Sequence, residues 1–326
     1  MSLANYVLQT ASVTLLYVVG FLGGMHILGL VTLYQLFFYT PLWPLVLLYL
    51  SWTHLVEWKT PERGGRDLLR NFTRRLSLFK YIRDYFPITL VKTSELDPQK
   101  NYIFGYHPHG MFTEGTSVAL NTEACGFSEK FPGIIPHLSV HSSLLKAWLY
   151  RDIIMSLGVI DVSRNSLQYT LTQKGAGHSV VIVVGGAAEI LDMRFDTYVL
   201  TLKRRKGFIK LALQTGCDLV PVFAFGQNNL FHIFGGGYYS RFSRFQRWLR
   251  SKTQSGCFYC WGACMLPKRS PISVVVGSPI PVEKVVNPTQ ENIDKLHSQY
   301  IEDLKELYEK YKDKYHPTEN SELLIV

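Results

Sequence analysis

The stretch YIFGYHPHG, residues 102–110, joins a short apolar run to a turn that carries two histidines. The apolar run predicts a buried strand, and the Gly and Pro residues that follow predict a tight turn at its end. Pro108 restricts its own φ, and Gly110 lets the backbone or a ligand approach closely. Imidazole is the side chain best suited to move a proton near neutral pH. The stretch therefore predicts an active-site turn, and a rigid surface turn with two solvated histidines is the alternative.

Outward from this stretch, after Pro87, strand patterns alternate with helix patterns. Such alternation predicts an α/β fold with a mostly parallel sheet flanked by helices and with active groups at the C-terminal ends of the strands. The predicted strands are Asn101–Tyr106, Ser179–Val184, Asp218–Phe225 and Ile272–Val276, and the predicted helices are Leu144–Leu157, Gly207–Thr215 and Thr289–Tyr315.

Residues 1–56 contain no Asp, Glu, Lys or Arg. This segment is too long for the apolar region of a signal peptide and lacks the basic start of one. A span needs ~20 residues, so we predict a membrane-embedded helical hairpin with spans from about Ala11 to Val31 and from about Leu33 to Trp52. A buried hairpin in a soluble protein is the alternative. Several glycines suit close helix packing in lipid, namely Gly20, Gly23, Gly24 and Gly29.

Charge begins directly after this segment, with eight basic and four acidic residues between Glu57 and Asp84. Basic segments next to a span stay on the cytoplasmic side, which predicts a cytosol-facing domain over residues 57–326. The whole chain of 326 residues has a net charge of +9. This charge predicts an anionic partner such as a phospholipid surface, nucleic acid or a phosphorylated substrate.

Further candidates for site residues follow other predicted strands or the turn itself. Glu114 lies five residues after His109 and is a candidate to orient the imidazole, with a solvated loop acid as the alternative. Glu189 follows a Gly185-Gly186 turn and is a second candidate, with a helix-start acid as the alternative. Arg205 and Lys206 belong to a run of four cations before Gly207, which suits a phosphorylated ligand.

Other kinds of site find little support in the sequence. The chain has no G-x-S-x-G elbow and no phosphate-binding glycine loop after a strand. Five cysteines without a secretory signal do not indicate a disulfide framework. Cys257, Cys260 and Cys264 lack the second C-x-x-C pair of a zinc site, so we predict no metal site.

Several motifs, taken in order, give a more specific indication: Tyr85-Phe86-Pro87, His107–Gly110, Pro136-His137, Val184–Glu189, Arg205–Phe208, Leu219–Val222 and Phe225-Gly226. This series resembles the type-2 diacylglycerol acyltransferase family, which includes monoacylglycerol and wax-alcohol acyltransferases. The resemblance covers nearly the whole chain, including the N-terminal apolar segment.

The resemblance implies a multi-pass enzyme of the endoplasmic reticulum and lipid droplets, with a fold like that of glycerophosphate acyltransferases. Its substrates would be fatty acyl-CoA and a neutral-lipid acceptor, with no separate cofactor. It implies contact with a phospholipid membrane and none with nucleic acid, and it is compatible with a homo-oligomer. The catalytic candidates are His109, His107, Glu114 and Glu189, and the substrate-binding candidates are Tyr85, Phe86, Pro87, Gly110, Gly185, Gly186, Arg205 and Lys206.

The chain departs from the family pattern in four places, and the first is Glu114, a position that is not regularly acidic in the family, which weakens a His109–Glu114 pair. Gln227 stands where the family usually has Glu, Gly115-Thr116-Ser117 replaces a usual Gly-Ala-Phe, and the region Cys260–Cys264 is short. These departures leave the acceptor open between acylglycerols, which we expect, and long-chain alcohols. They also leave open a non-catalytic lipid-droplet protein. A covalent acyl-enzyme on Cys125 or Cys217 is a further alternative, without a nucleophile motif to support it.

Overall fold

A computed structural model describes residues 2–195, 197–233, 266–315 and 322–326, with single positions between 241 and 261. The thiols of Cys257, Cys260 and Cys264 lie outside the described residues. The helices are α1 Leu3–Gly24, α2 Ile27–Tyr39, α3 Trp43–Leu55, α4 Arg70–Thr73, α5 Ser77–Tyr85, α6 Phe127–Lys130, α7 Tyr150–Ser156, α8 Arg164–Gln173, α9 Gly207–Thr215 and α10 Gln290–Tyr315. The strands are β1 Ile88–Lys92, β2 Tyr102–His107, β3 Ile135–Val140, β4 Ile160–Asp161, β5 His178–Val183, β6 Thr197–Leu200, β7 Asp218–Phe225, β8 His232–Ile233, β9 Cys260–Trp261, β10 Ile272–Val276 and β11 Glu322–Ile325.

A seven-stranded sheet in the order β1-β10-β7-β2-β5-β3-β4 forms the centre of the fold. β10 and β7 are antiparallel, and the other neighbouring pairs are parallel. β2 and β7 lie side by side near the middle and are buried along their whole length, as their apolar sequences predict. The predicted α/β class with a mostly parallel sheet is thus confirmed.

Helix α10 packs on one face of this sheet through the apolar stripe that its sequence predicts. Ile293, Leu296, Tyr300, Leu304 and Leu307 are buried along it. The helix contacts β7 and α9, and the ring of its Tyr308 packs against Phe223 of β7. The C-terminal halves of β2 and β7 are therefore covered on one side by this long helix.

The two long N-terminal spans expected from the sequence are wrong in their bounds, because the segment forms three helices. The chain turns at His26, whose φ of 63° is left-handed, and again around Pro41, just before α3 begins at Trp43 with Pro44 in its first turn. Among the described residues, α1 is the helix that is long and apolar enough to cross a membrane. α2 and α3 have 13 residues each, short of the ~20 that a perpendicular span needs.

Three glycines of this segment, Gly23, Gly24 and Gly29, face the α/β domain, whereas a Cβ added at Gly20 would meet none of the described residues within 4 Å. A Cβ added at Gly23 would clash with the Tyr150 ring, and one added at Gly29 would clash with the Trp148 carbonyl. On α3, the Tyr49 hydroxyl donates to Asp152 Oδ2 at 2.6 Å. The apolar helices are thus docked on the domain through small residues and partly buried hydrogen bonds.

The same docking explains why the continuous helix predicted over Leu144–Leu157 is not formed. A short 3₁₀ turn covers Leu144–Lys146, and the backbone then breaks at Leu149, where φ is 63°. The Leu149 N–H donates to the Tyr49 hydroxyl at 2.8 Å. The break in the helix at Leu149 therefore coincides with a contact to α3. The helical periodicity of residues 144–157 does not reveal such a long-range contact.

Candidate active site

The predicted active-site turn lies at the C-terminal end of β2, near the middle of the sheet. His107 is the last residue of the strand, and its peptide bond to Pro108 is cis. Gly110 has a φ of 63°, and an added Cβ there would clash with the Gln227 amide. Glycine is therefore required at this position both for its backbone conformation and for the close approach of Gln227.

His107 is fully buried and faces α10. The Tyr300 hydroxyl donates to the Gly105 carbonyl at 3.1 Å, so His107 Nε2–H donates to the Tyr300 oxygen at 3.0 Å. Burial lowers the pKa of His107 to about 3. The imidazole is thus neutral, and its contacts suit a side chain that fixes the end of β2.

His109 is half-buried, and its ring has a defined orientation. Nδ1 lies 2.9 Å from the Gly110 carbonyl oxygen. Because a carbonyl oxygen only accepts, Nδ1 carries a proton and donates in this contact. Of the two predicted histidines, His109 is the one whose ring is partly exposed, whereas His107 is fully buried.

Glu189 meets the backbone of the turn. It lies in a 3₁₀ helix, Gly186–Asp192, after β5, and its carboxyl packs so closely on Gly185 that a Cβ there would clash. Oε2 accepts the His109 N–H and Oε1 accepts the Thr201 N–H, each at 2.9 Å. Burial raises the pKa of Glu189 to about 7, opposed by these hydrogen bonds. Gly185 therefore leaves room for the Glu189 carboxyl, which holds the backbone N–H of His109.

Glu114 is also buried, but its carboxyl meets residues that the sequence analysis did not assign to the site. One oxygen accepts from the Tyr17 hydroxyl of α1, and the other accepts from the Gln227 amide. Burial raises the pKa of Glu114, again opposed by hydrogen bonds. No local signal identifies Tyr17, which stands in an uncharged and mostly apolar helix, whereas Gln227 is a polar residue just past a strand end.

The Tyr85-Phe86-Pro87 motif lies at the same edge of the sheet, between α5 and β1. The Tyr85 hydroxyl donates to the Pro267 carbonyl at 2.8 Å, and the Arg269 guanidinium lies over its ring at 4.1 Å. Phe86 is buried in the core. Because β1 runs opposite to β2 and β7, its N-terminal end meets their C-terminal ends, so this motif borders the site through packing.

The predicted cations precede α9, whose N-terminus faces the same edge. Arg205 is exposed and its Nη2 lies 3.4 Å from the Gly185 carbonyl. Lys206 forms an ion pair with Asp294 of α10 at 2.6 Å. Arg205 is thus the better placed of the two for an external phosphate, since Lys206 already has an anionic partner.

The described cysteines are poorly activated for an acyl-enzyme. Burial raises the pKa of Cys125 to about 11, and it also raises the pKa of Cys217. The thiolate is the nucleophile, so both groups are weak candidates for covalent catalysis near neutral pH.

Comparison with known proteins agrees with the motif order. The diacylglycerol acyltransferase family profile matches residues 35–326. Diacylglycerol O-acyltransferase 2 from Xenopus tropicalis is 42% identical over 293 residues, covering 85% of this chain and 78% of that protein. Acyl-CoA wax alcohol acyltransferase 2 from Homo sapiens is 40% identical over 307 residues, covering 91% of this chain and 90% of that protein.

Among solved structures, the 1-acyl-sn-glycerophosphate acyltransferase PlsC from Thermotoga maritima superposes with a TM-score of 0.42 at 13% identity, covering 95% of this chain and 98% of that one. The family profile and the sequence identities extend over most of the chain and confirm the resemblance expected from the motifs. The chain belongs to the diacylglycerol acyltransferase family.

Proposed function

We propose that this protein is an acyl-CoA-dependent O-acyltransferase that esterifies an acylglycerol, diacylglycerol or 2-monoacylglycerol, in neutral-lipid synthesis. The observation that carries the proposal is the fixed position of His109. Its Nδ1–H donates to the Gly110 carbonyl, and its backbone N–H donates to the buried carboxyl of Glu189. A base fixed at the C-terminal edge of a parallel sheet is suited to activate an acceptor hydroxyl.

In the proposed reaction, His109 Nε2 takes the proton of the acceptor hydroxyl while the oxygen attacks the thioester carbonyl of acyl-CoA. The C–S bond then breaks, the ester is released, and the CoA thiolate regains a proton from the imidazolium. Proton transfer by a positioned base typically contributes ~10²–10⁴-fold in rate. Backbone N–H groups around Gly110 would bind the oxyanion, and each well-aimed donor contributes about 3 kcal/mol.

We further propose that α1–α3, within residues 1–56, lie in the endoplasmic-reticulum membrane, with α1 as the helix long enough to cross it, residues 57–326 facing the cytosol, and lipid droplets as a second location. The helices expose many large apolar side chains, including Phe38 and Leu48, at 64% and 65% exposure. Lipid contact would cover such a surface and would let apolar substrates reach the site from the bilayer.

Acceptor choice is tested by competition. The purified full chain in nanodiscs receives labelled acyl-CoA with equal amounts of diacylglycerol, 2-monoacylglycerol and a long-chain alcohol. We expect acylglycerol esters to dominate the product. Dominant wax ester would favour the alternative suggested by the similarity to wax alcohol acyltransferase 2, whose match covers 91% of this chain. No ester from any acceptor would favour a non-catalytic lipid-droplet protein.

The phosphate role of Arg205 gives a second prediction. Arg205→Ala should raise KM for acyl-CoA by about ten-fold and leave kcat nearly unchanged, because an exposed cation contributes binding and not chemistry. The matched control is Lys210→Ala, which removes an exposed cation from α9 itself.

An acyl-pantetheine thioester, which lacks the nucleotide phosphates, makes the test specific. The Arg205→Ala variant and the original protein should use this substrate equally well. An equal loss with both thioesters would contradict the phosphate role and would assign Arg205 to support of the Gly185 turn.

A further inference from the structure

We infer that Tyr17 of α1 is a positioning residue for acyl transfer, acting through Glu114 and Gln227 on the turn that carries His109. The inference rests on the proposed function of that turn, and it goes further because it makes an apolar N-terminal helix part of the catalytic apparatus.

The first step is the Tyr17–Glu114 contact. Tyr17 lies near the middle of α1, and its hydroxyl hydrogen-bonds the carboxyl of Glu114, which is 1% exposed. Its ring packs edge-on against Phe112 at 4.9 Å and lies 5.6 Å from the ring of Phe231. One aromatic side chain of α1 thus meets the turn after β2 and the segment after β7.

The second step is the fixed orientation of Gln227. Its Oε1 accepts the Gly115 N–H at 2.9 Å and the Tyr106 hydroxyl at 3.0 Å. Two donors on the oxygen leave the amide nitrogen to face Glu114, to which it donates. The carboxyl thus receives a donor from Gln227 on one oxygen and meets the Tyr17 hydroxyl on the other.

The third step is the path from this amide to His109. The turn wraps around the Gln227 side chain so closely that a Cβ at Gly110 would clash with it, and a Cβ at Gly115 would lie 2.9 Å from its Oε1. The carbonyl oxygen of Gly110 in turn accepts a hydrogen bond from Nδ1 of His109. Glu189 holds one side of the turn and the Tyr17–Glu114–Gln227 series holds the other, so a shift of α1 would shift the base.

Tyr17→Phe tests the inference because it keeps the ring and its packing and removes only the hydroxyl. We expect kcat for acyl transfer to fall about ten-fold, which corresponds to ~1.4 kcal/mol, with KM for acyl-CoA unchanged. Tyr34→Phe, which removes a hydroxyl from an outward-facing tyrosine of α2 at 55% exposure, should leave kcat unchanged. A rise in the acceptor KM with kcat unchanged would overturn the inference, because it would make Tyr17 a substrate contact.

A double variant tests whether Tyr17 acts through Glu114. Glu114→Gln retains the shape of the side chain, and Tyr17→Phe combined with Glu114→Gln should be no worse than the poorer single variant. Losses in kcat that multiply would overturn the inference, because independent sites are additive in free energy.

Hydrogen exchange gives a readout that does not need activity. In Tyr17→Phe, the amides of residues 110–115 should exchange faster than in the original protein, while those of β5 should not change. Equal exchange in the turn would overturn the inference. Failure of the original protein to form any ester would instead count against the proposed function, so the two failures are distinguishable.

Discussion

Replacing His109 with alanine should lower kcat for ester formation by about 10²–10⁴-fold, because the acceptor hydroxyl loses its general base. The measurement is transfer from labelled acyl-CoA by the purified full chain at saturating substrates. KM for acyl-CoA should change little, since the proposed phosphate contact at Arg205 is separate from the imidazole. Near-normal transfer by this variant would contradict the assignment of His109.

A matched variant separates chemistry from the shape of the turn. In His109→Asn the side-chain amide can still donate to the Gly110 carbonyl, as Nδ1 does, but it offers no basic nitrogen. It should therefore be as inactive as the alanine variant while unfolding at the original temperature. His107→Ala should show the opposite result, with a milder loss of turnover and a clear loss of stability, because His107 is a buried partner of Tyr300.

The middle of the fold was predictable because its sequence is locally consistent. The runs at 218–225 and 272–276 form strands with those bounds, and their apolar residues are buried on both faces, as a central strand requires. The turn after β2 was predictable for the same reason, since Gly and Pro interrupt the pattern there. In contrast, β6 and β11 form a separate two-stranded sheet through long-range pairing, which no local pattern indicates.

The partners of the site residues were not predictable, because they are set by packing between distant segments. Sequence spacing suggested that Glu114 orients His109, whereas its carboxyl meets Tyr17, which is 97 residues away, and Gln227, which is 113 residues away. Lys206 belongs to a cation run that suits a phosphate, yet α10 brings Asp294 against it. Residue type and position along a strand predicted which residues meet at this edge of the sheet, and tertiary contacts decided which of their groups are already engaged.

The acid at Glu189 shows how such a contact constrains function. Glu189→Gln should lower kcat about 10²-fold, because a displacement of about 1 Å at the reacting group has an effect of that size. The carboxyl accepts two backbone N–H groups, from His109 and Thr201, whereas an amide offers one oxygen and one NH₂. The NH₂ group would face an N–H donor, and close packing on Gly185 prevents the side chain from moving away. Unchanged kcat would contradict the anchoring of the turn by Glu189.

The pH dependence of stability checks the same carboxyl independently of activity. Burial raises the pKa of Glu189 from 4.5 to about 7, so the folded protein binds more protons than the unfolded chain between these values. The stability linked to this proton is fully present below pH 4.5 and is lost as the pH rises through 7. Glu189→Gln does not titrate, so the difference in Tm between the original protein and the variant should shrink from pH 5 to pH 8. A difference that widens over this range, measured by tryptophan fluorescence in detergent, would mean that the ionised carboxylate is the form that holds the His109 and Thr201 amides.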